Sequence, residues 1–298
     1  MIVADTIKEY VMKKISLYLL ILSSIFFIGC GGGSSSSITG SVDASTKCIS
    51  NEGGICVIAS TGDSTDDALL RAVHADTMSF FEFNTKFYIF QEDSPAKANA
   101  FASESDRIYF GNYLFGMLRS ASKSDYPTMV KGIMAHEYGH VVQNHTFVNT
   151  ANLAAKRQAV DVGSTVILSE LEADAFSGLY MYFELKNEKQ IELYFQLLNS
   201  LGSNNFTSPD FHGTGAQRQA AAAYGILMVD YIIENNLIDY VNWADIRVEF
   251  IRGIATYILN DVNYRQAKES NPYGFSQENL DIVRGIAKGE NSISDLKL

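Results

Sequence analysis

Apolar residues spaced three and four apart predict a helix at about 65–84. The same period returns at about 127–147, 165–186 and 189–201, and after a polar loop from Gly202 to Gly215 at about 216–235, 241–260 and 276–288. Two short runs break that rhythm, near 86–91 and at 107–111, and predict strands. Helices therefore dominate, with a small sheet ahead of the helix at 127–147. The class expected is α+β, with the strand count left open.

The first thirty residues follow a different pattern. Lys8, Lys13 and Lys14 precede an apolar stretch from Ile15 to Ile28, then Gly29-Cys30. A basic start, a short apolar core and a small residue before cysteine describe a secretory signal over residues 1–29. About 14 apolar residues is short for a membrane span of about 20, which disfavours the rival reading, an uncleaved signal anchor. Phe27-Ile28-Gly29-Cys30 resembles a bacterial lipobox, with Phe27 where leucine is usual. That resemblance implies lipidation of Cys30 and attachment to a membrane through the lipid. Gly31 follows rather than aspartate, which points to the outer membrane, facing the periplasm. Residues 30–63 then read as a tether opening with Gly31-Gly32-Gly33 and four serines. Within it Cys48 and Cys56 are close enough for a local disulfide outside the cytoplasm.

Composition fits an ordinary core beyond that tether. The chain is 47% hydrophobic and 19% charged with 4 prolines, so residues 64–298 suit one domain, or one with a helical extension. Net charge is −11. Such a surface argues against nucleic acid and against electrostatic adhesion to anionic lipid.

Chemistry concentrates in His136-Glu137-Tyr138-Gly139-His140. On a helix, positions four apart lie about 40° apart on one face, so both imidazoles can grip one metal ion. Glu137 is close enough round the helix to reach a metal-bound water without being a ligand. That set suits zinc hydrolysis, with the glutamate as general base. The alternative is two histidines filling a core. A third ligand is needed, and His145 is a poor one. It lies five residues past His140, with Gln143 where a glycine turn would stand, and points about 180° away from His136. In Ser169-Glu170-Leu171-Glu172-Ala173-Asp174, Glu170 and Asp174 share a face while Glu172 points the other way. Glu170 is the third ligand on this reading, and Asp174 supports it by taking a ligand histidine's free N–H. An acidic, solvated helix face is the competing explanation.

H-E-x-x-H followed by E-x-x-A-D resembles the gluzincin peptidases, particularly the HtpX-like and CAAX-protease family. Asn99-Ala100-Phe101-Ala102 and Arg107-Ile108-Tyr109-Phe110-Gly111 resemble that family's segments beside the active site, and Lys131-Gly132-Ile133-Met134-Ala135 its lead into the zinc helix. Phe211-His212-Gly213-Thr214-Gly215-Ala216-Gln217-Arg218 is closer to the bacterial neutral zinc metallopeptidases. The resemblance spans roughly residues 95 to 225. It implies a compact gluzincin form: a small mixed sheet whose edge strand faces the cleft, two zinc-bearing helices and a helical C-terminal part. It also implies one Zn²⁺ per chain, polypeptide substrates, and His212 stabilising the oxyanion, against the plainer reading of a surface loop histidine. Arg218 would brace the loop or the following helix, and His74 is structural. Ile108, Tyr109 and Phe110 are the candidate edge strand to which an extended peptide would add. The function expected is a zinc endopeptidase of envelope proteins. Two alternatives stand beside it: a non-catalytic zinc lipoprotein with a chaperone or binding role, and a zinc amidase acting on a non-protein substrate.

Overall fold

Five strands organise the first part of the chain: β1 (Ser50–Glu52), β2 (Ile55–Ile58), β3 (Lys86–Phe90), β4 (Ala100–Ser103) and β5 (Arg107–Gly111). The computed structural model describes residues 48–52, 54–146, 166–203, 211–234, 243–259 and 276–296. The signal-like residues 1–29, and Cys30 with the glycines and serines after it, lie outside the described residues. Described residues gather into two compact units, one within residues 30–147 and one within 148–298. None of the described helices is long and apolar enough to cross a membrane.

In the first unit the strand order is β1-β2-β3-β5-β4. β1, β2 and β3 pair antiparallel in sequence, β3 and β5 run parallel, and β4 returns antiparallel along β5. The sheet is therefore mixed. Cys48 and Cys56 are joined by a disulfide across the β1–β2 hairpin, with Cα atoms 5.2 Å apart. β5 lies inside the sheet, which corrects the expectation that Ile108, Tyr109 and Phe110 form its edge. These three consecutive residues are all buried, at 0%, 2% and 0% exposure. A strand covered on both faces reads as an unbroken apolar run. The edge on the β5 side is β4, where only Ala100 is buried, and β1 is the other edge.

Among the described residues of this unit are three α-helices: α1 (Ser64–Phe81), α2 (Asn112–Ala121) and α3 (Tyr126–His145). Asp63 caps α1 by accepting from the Thr65 and Asp66 amides, and Glu82 ends it in the left-handed region. Pro127 sits in the first turn of α3, where a missing N–H costs nothing. From Thr128 to Val142 nearly every residue of α3 is buried, so the helix is enclosed rather than amphipathic.

The second unit is helical among its described residues: α4 (Val166–Glu184), α5 (Glu188–Leu201), α6 (Gly215–Glu234), α7 (Trp243–Gly253) running into a π-helical turn (Ile254–Ile258), and α8 (Gln277–Lys288). α4 and α6 approach backbone to backbone. A Cβ on Gly178 would lie 2.1 Å from the Ala222 carbonyl oxygen, and one on Gly225 would lie 1.9 Å from that of Ala175. Both helices need glycine at that crossing.

Candidate metal centre

α3 carries His136, Glu137 and His140, the first two buried and the third half-buried. The two imidazole rings stand 4.9 Å apart between centroids and nearly perpendicular, at 89°. His140 Nδ1 lies 2.9 Å from Gln143 Oε1. A proton donated there leaves Nε2 with its lone pair free for a metal. Gln143, which reads in the sequence only as a missing glycine turn, is thus placed to orient the His140 ring.

Tyr138 anchors this helix to the rest of its unit. Its hydroxyl bonds Thr85 Oγ1 at 2.6 Å and lies 3.1 Å from His74 Nε2, while His74 Nε2 and Thr85 Oγ1 are 2.8 Å apart. The Tyr138 ring stacks on Phe81 at 5.6 Å. Burial pushes the Tyr138 hydroxyl up to about 12 and the His74 imidazole down to about 4. His74 is structural, and neutral. Its ordinary value is 6.5, so between the two values the unfolded chain holds more protons than the fold. Stability should accordingly fall as pH drops from about 6.5 to about 4, by on the order of 2 kcal/mol. Urea midpoints of wild type and His74→Gln, compared at both ends of that range, test this. A variant with an equally steep pH loss would show that His74 is not the group responsible.

His145, at the end of α3, is occupied elsewhere. Its Nε2 lies 2.5 Å from Asp106 Oδ1, and its ring stacks on Phe83 at 4.9 Å.

In the second unit, α4 presents Glu170 with its side chain 13% exposed, and His212 Nδ1 lies 3.5 Å from Glu170 Oε2. Asp174, expected to take a ligand histidine's N–H, receives the Arg218 guanidinium through two 2.8 Å bonds, both side chains being buried. Arg218 also donates to the Leu201 carbonyl at 3.3 Å, so it ties α6 to α4 and to the end of α5. Thr214 and Gln217 cap α6 reciprocally: the Thr214 amide donates to Gln217 Oε1 at 2.9 Å and the Gln217 amide to Thr214 Oγ1 at 3.1 Å. Gly213 turns the chain at φ +105°, a region open to glycine. The segment from His212 to Arg218 is in this sense a helix start built to present one histidine beside one glutamate. Glu172 points away and pairs with Arg247 at 2.6 Å, both buried.

His136, His140 and Glu170 could together hold a metal ion. Two imidazoles and one carboxylate form a donor set that zinc takes with a fourth position left open, and the Gln143 contact leaves the proper His140 nitrogen available. The residues fit the group.

No curated protein and no solved structure matches the chain. The sequence profile of peptidase family M48 matches residues 64–213, from the first turn of α1 through the His212-Gly213 turn. Half of the chain, including the helix with both histidines and the helix with Glu170, falls inside that match, and the chain belongs to peptidase family M48, whose members are metal-dependent peptidases.

Proposed function

We propose that this M48 chain is a zinc endopeptidase that cleaves extended polypeptides of a bacterial cell envelope. The observation that carries the reading is the placement of Glu137 next in sequence to His136 and one turn before His140 on a single buried helix, with Gln143 orienting the second imidazole. In this proposal His136, His140 and Glu170 hold one zinc per chain. Held there, zinc would supply Lewis acidity and would make water easier to deprotonate near neutral pH.

The chain's own residues do the rest. Glu137 takes a proton from the attacking water as oxygen adds to the scissile carbonyl. It then delivers that proton to the departing amide nitrogen as the C–N bond breaks. His212 donates a hydrogen bond to the oxygen on which negative charge develops. Its closeness to Glu170 supports that role, because a donor beside a metal ligand stands near the reacting carbonyl. Asp174 supports the site from α4, locked in place by Arg218. The substrate strand is β4, since an extended peptide adds to a sheet edge and β5 is not one. Peptide cleavage by the purified full chain and by its Glu137→Gln variant tests the reading.

Placement in the envelope rests on the lipobox-like Phe27-Ile28-Gly29-Cys30. Cells fed labelled palmitate should label the wild-type chain and not Cys30→Ser, and an inhibitor of lipoprotein signal peptidase should make a larger precursor accumulate. A wild-type chain that takes up no palmitate would remove the lipid anchor and leave a signal anchor in its place.

A further inference from the structure

β4 is fastened at both ends by side chains that the catalytic reading does not use. At its start, the Asn99 amide donates to Glu92 Oε1, and the Asn99 carbonyl accepts from the Gly111 amide at 3.0 Å. The other Glu92 oxygen accepts from the first turn of α2, from the Tyr113 amide at 2.5 Å and the Leu114 amide at 3.0 Å. The Glu92 amide in turn donates to Asn112 Oδ1 at 3.2 Å. One carboxylate, 3% exposed, therefore joins a strand and a helix through its two oxygens. Burial pushes its carboxyl above the usual range, against the pull of those amides. The cradle is tight: a Cβ on Gly111 would lie 2.1 Å from Glu92 Cδ.

At the far end, Asp106 makes the turn into β5 in the left-handed region, at φ 57°, and its carbonyl accepts from the Lys86 amide at 2.8 Å. Its carboxylate holds His145, the last residue of the helix that bears both histidines. Between the two fastenings Phe101 stacks on Tyr109 at 4.7 Å.

We propose that Glu92 is a positioning residue for the substrate: by fixing Asn99 it holds β4 in the register at which an extended polypeptide pairs with it, with Asp106 doing the same from the turn. The inference rests on the peptidase reading and on β4 as the substrate strand. A residue that only capped α2 would need one oxygen. Glu92 spends its second on the residue that opens β4.

Glu92→Gln is the discriminating change. An amide offers a single acceptor, so satisfying the two α2 amides turns its NH₂ group towards the Asn99 N–H. KM for a long peptide should rise about tenfold, the loss expected when one buried donor goes unmet, with kcat within about twofold. A truncated peptide that cannot reach along β4 should be cleaved as by wild type, and zinc content should not change. Asp106→Asn, an exposed change that any fold should tolerate, should raise the same KM by about threefold, the scale of a weak, exposed ion pair. A long peptide N-methylated on its pairing amides separates strand pairing from the role of Glu92. If wild type does not discriminate against it, β4 is not the substrate strand and the positioning role falls with it. If wild type does discriminate, but both variants keep the wild-type KM for the parent peptide, the strand reading stands and the role of Glu92 is overturned. An equal loss of kcat on long and truncated peptides also overturns it, because that marks damage to α3.

Discussion

Glu137→Gln should leave the chain folded and metal-loaded while cleavage of an accepted polypeptide falls by at least about 10²-fold, the lower end for losing a positioned acid–base group. Glutamine keeps the volume and most of the hydrogen bonding of glutamate, and Glu137 is not among the three residues that could hold the metal. What it lacks is a carboxylate able to take a proton and return it. The measurement is kcat/KM beside zinc content and a thermal midpoint. A variant that cleaves at the wild-type rate would sink the assignment of the base. His212→Ala should lower kcat by up to about 10²-fold with zinc retained, the cost of removing one donor to an oxyanion. Zinc retained by a wild-type chain that cleaves no polypeptide would favour a binding or chaperone lipoprotein. Cleavage confined to non-peptide amides would favour the amidase.

Elemental analysis of the full chain should find one zinc, and none in the His136→Ala/His140→Ala double variant. Two of the three protein ligands are then missing, and a lone carboxylate does not hold zinc against buffer. Glu170→Ala should weaken binding clearly. Glu172→Ala should keep the metal yet lose stability, by about 3–5 kcal/mol, because the buried Arg247 guanidinium is left without its carboxylate. The two glutamates are two residues apart on α4, and the contrast between them reads out the helix face. Zinc lost from Glu172→Ala but kept by Glu170→Ala would move the third ligand to the other face.

Helices came through in the sequence because enclosed or amphipathic helices carry their own periodicity: α3 runs from Tyr126 to His145 against an expected 127–147, and α4 from Val166 to Glu184 against 165–186. The residues that stayed hidden depend on partners far along the chain. α2 was not anticipated, since its first turn is satisfied by Glu92, 20 residues or more before it, and Asn112 to Ala121 holds no side-chain cap of its own. Arg218 lies 44 residues from Asp174, a separation at which pairing leaves no local mark. β1, β2 and β4 have three or four residues each, too few for an alternation to register. Ile108-Tyr109-Phe110 did carry a usable signal. Three apolar residues in succession indicate a strand covered on both faces, and that points to the sheet interior.

The crossing of α4 and α6 makes the place of Glu170 a matter of missing atoms. Gly178 is eight residues along α4 from Glu170, about 12 Å at the rise of a helix. With main chain resting on main chain there, no pliable side chain is available to absorb a small displacement, and the helix behaves as a stiff lever pivoting on two hydrogen atoms. A methyl group added at that pivot is expected to shift the carboxylate at the other end without altering any group proposed to touch metal or substrate. With Glu170 as the proposed third ligand, metal affinity is expected to be retuned from a position that shares no chemistry with the site.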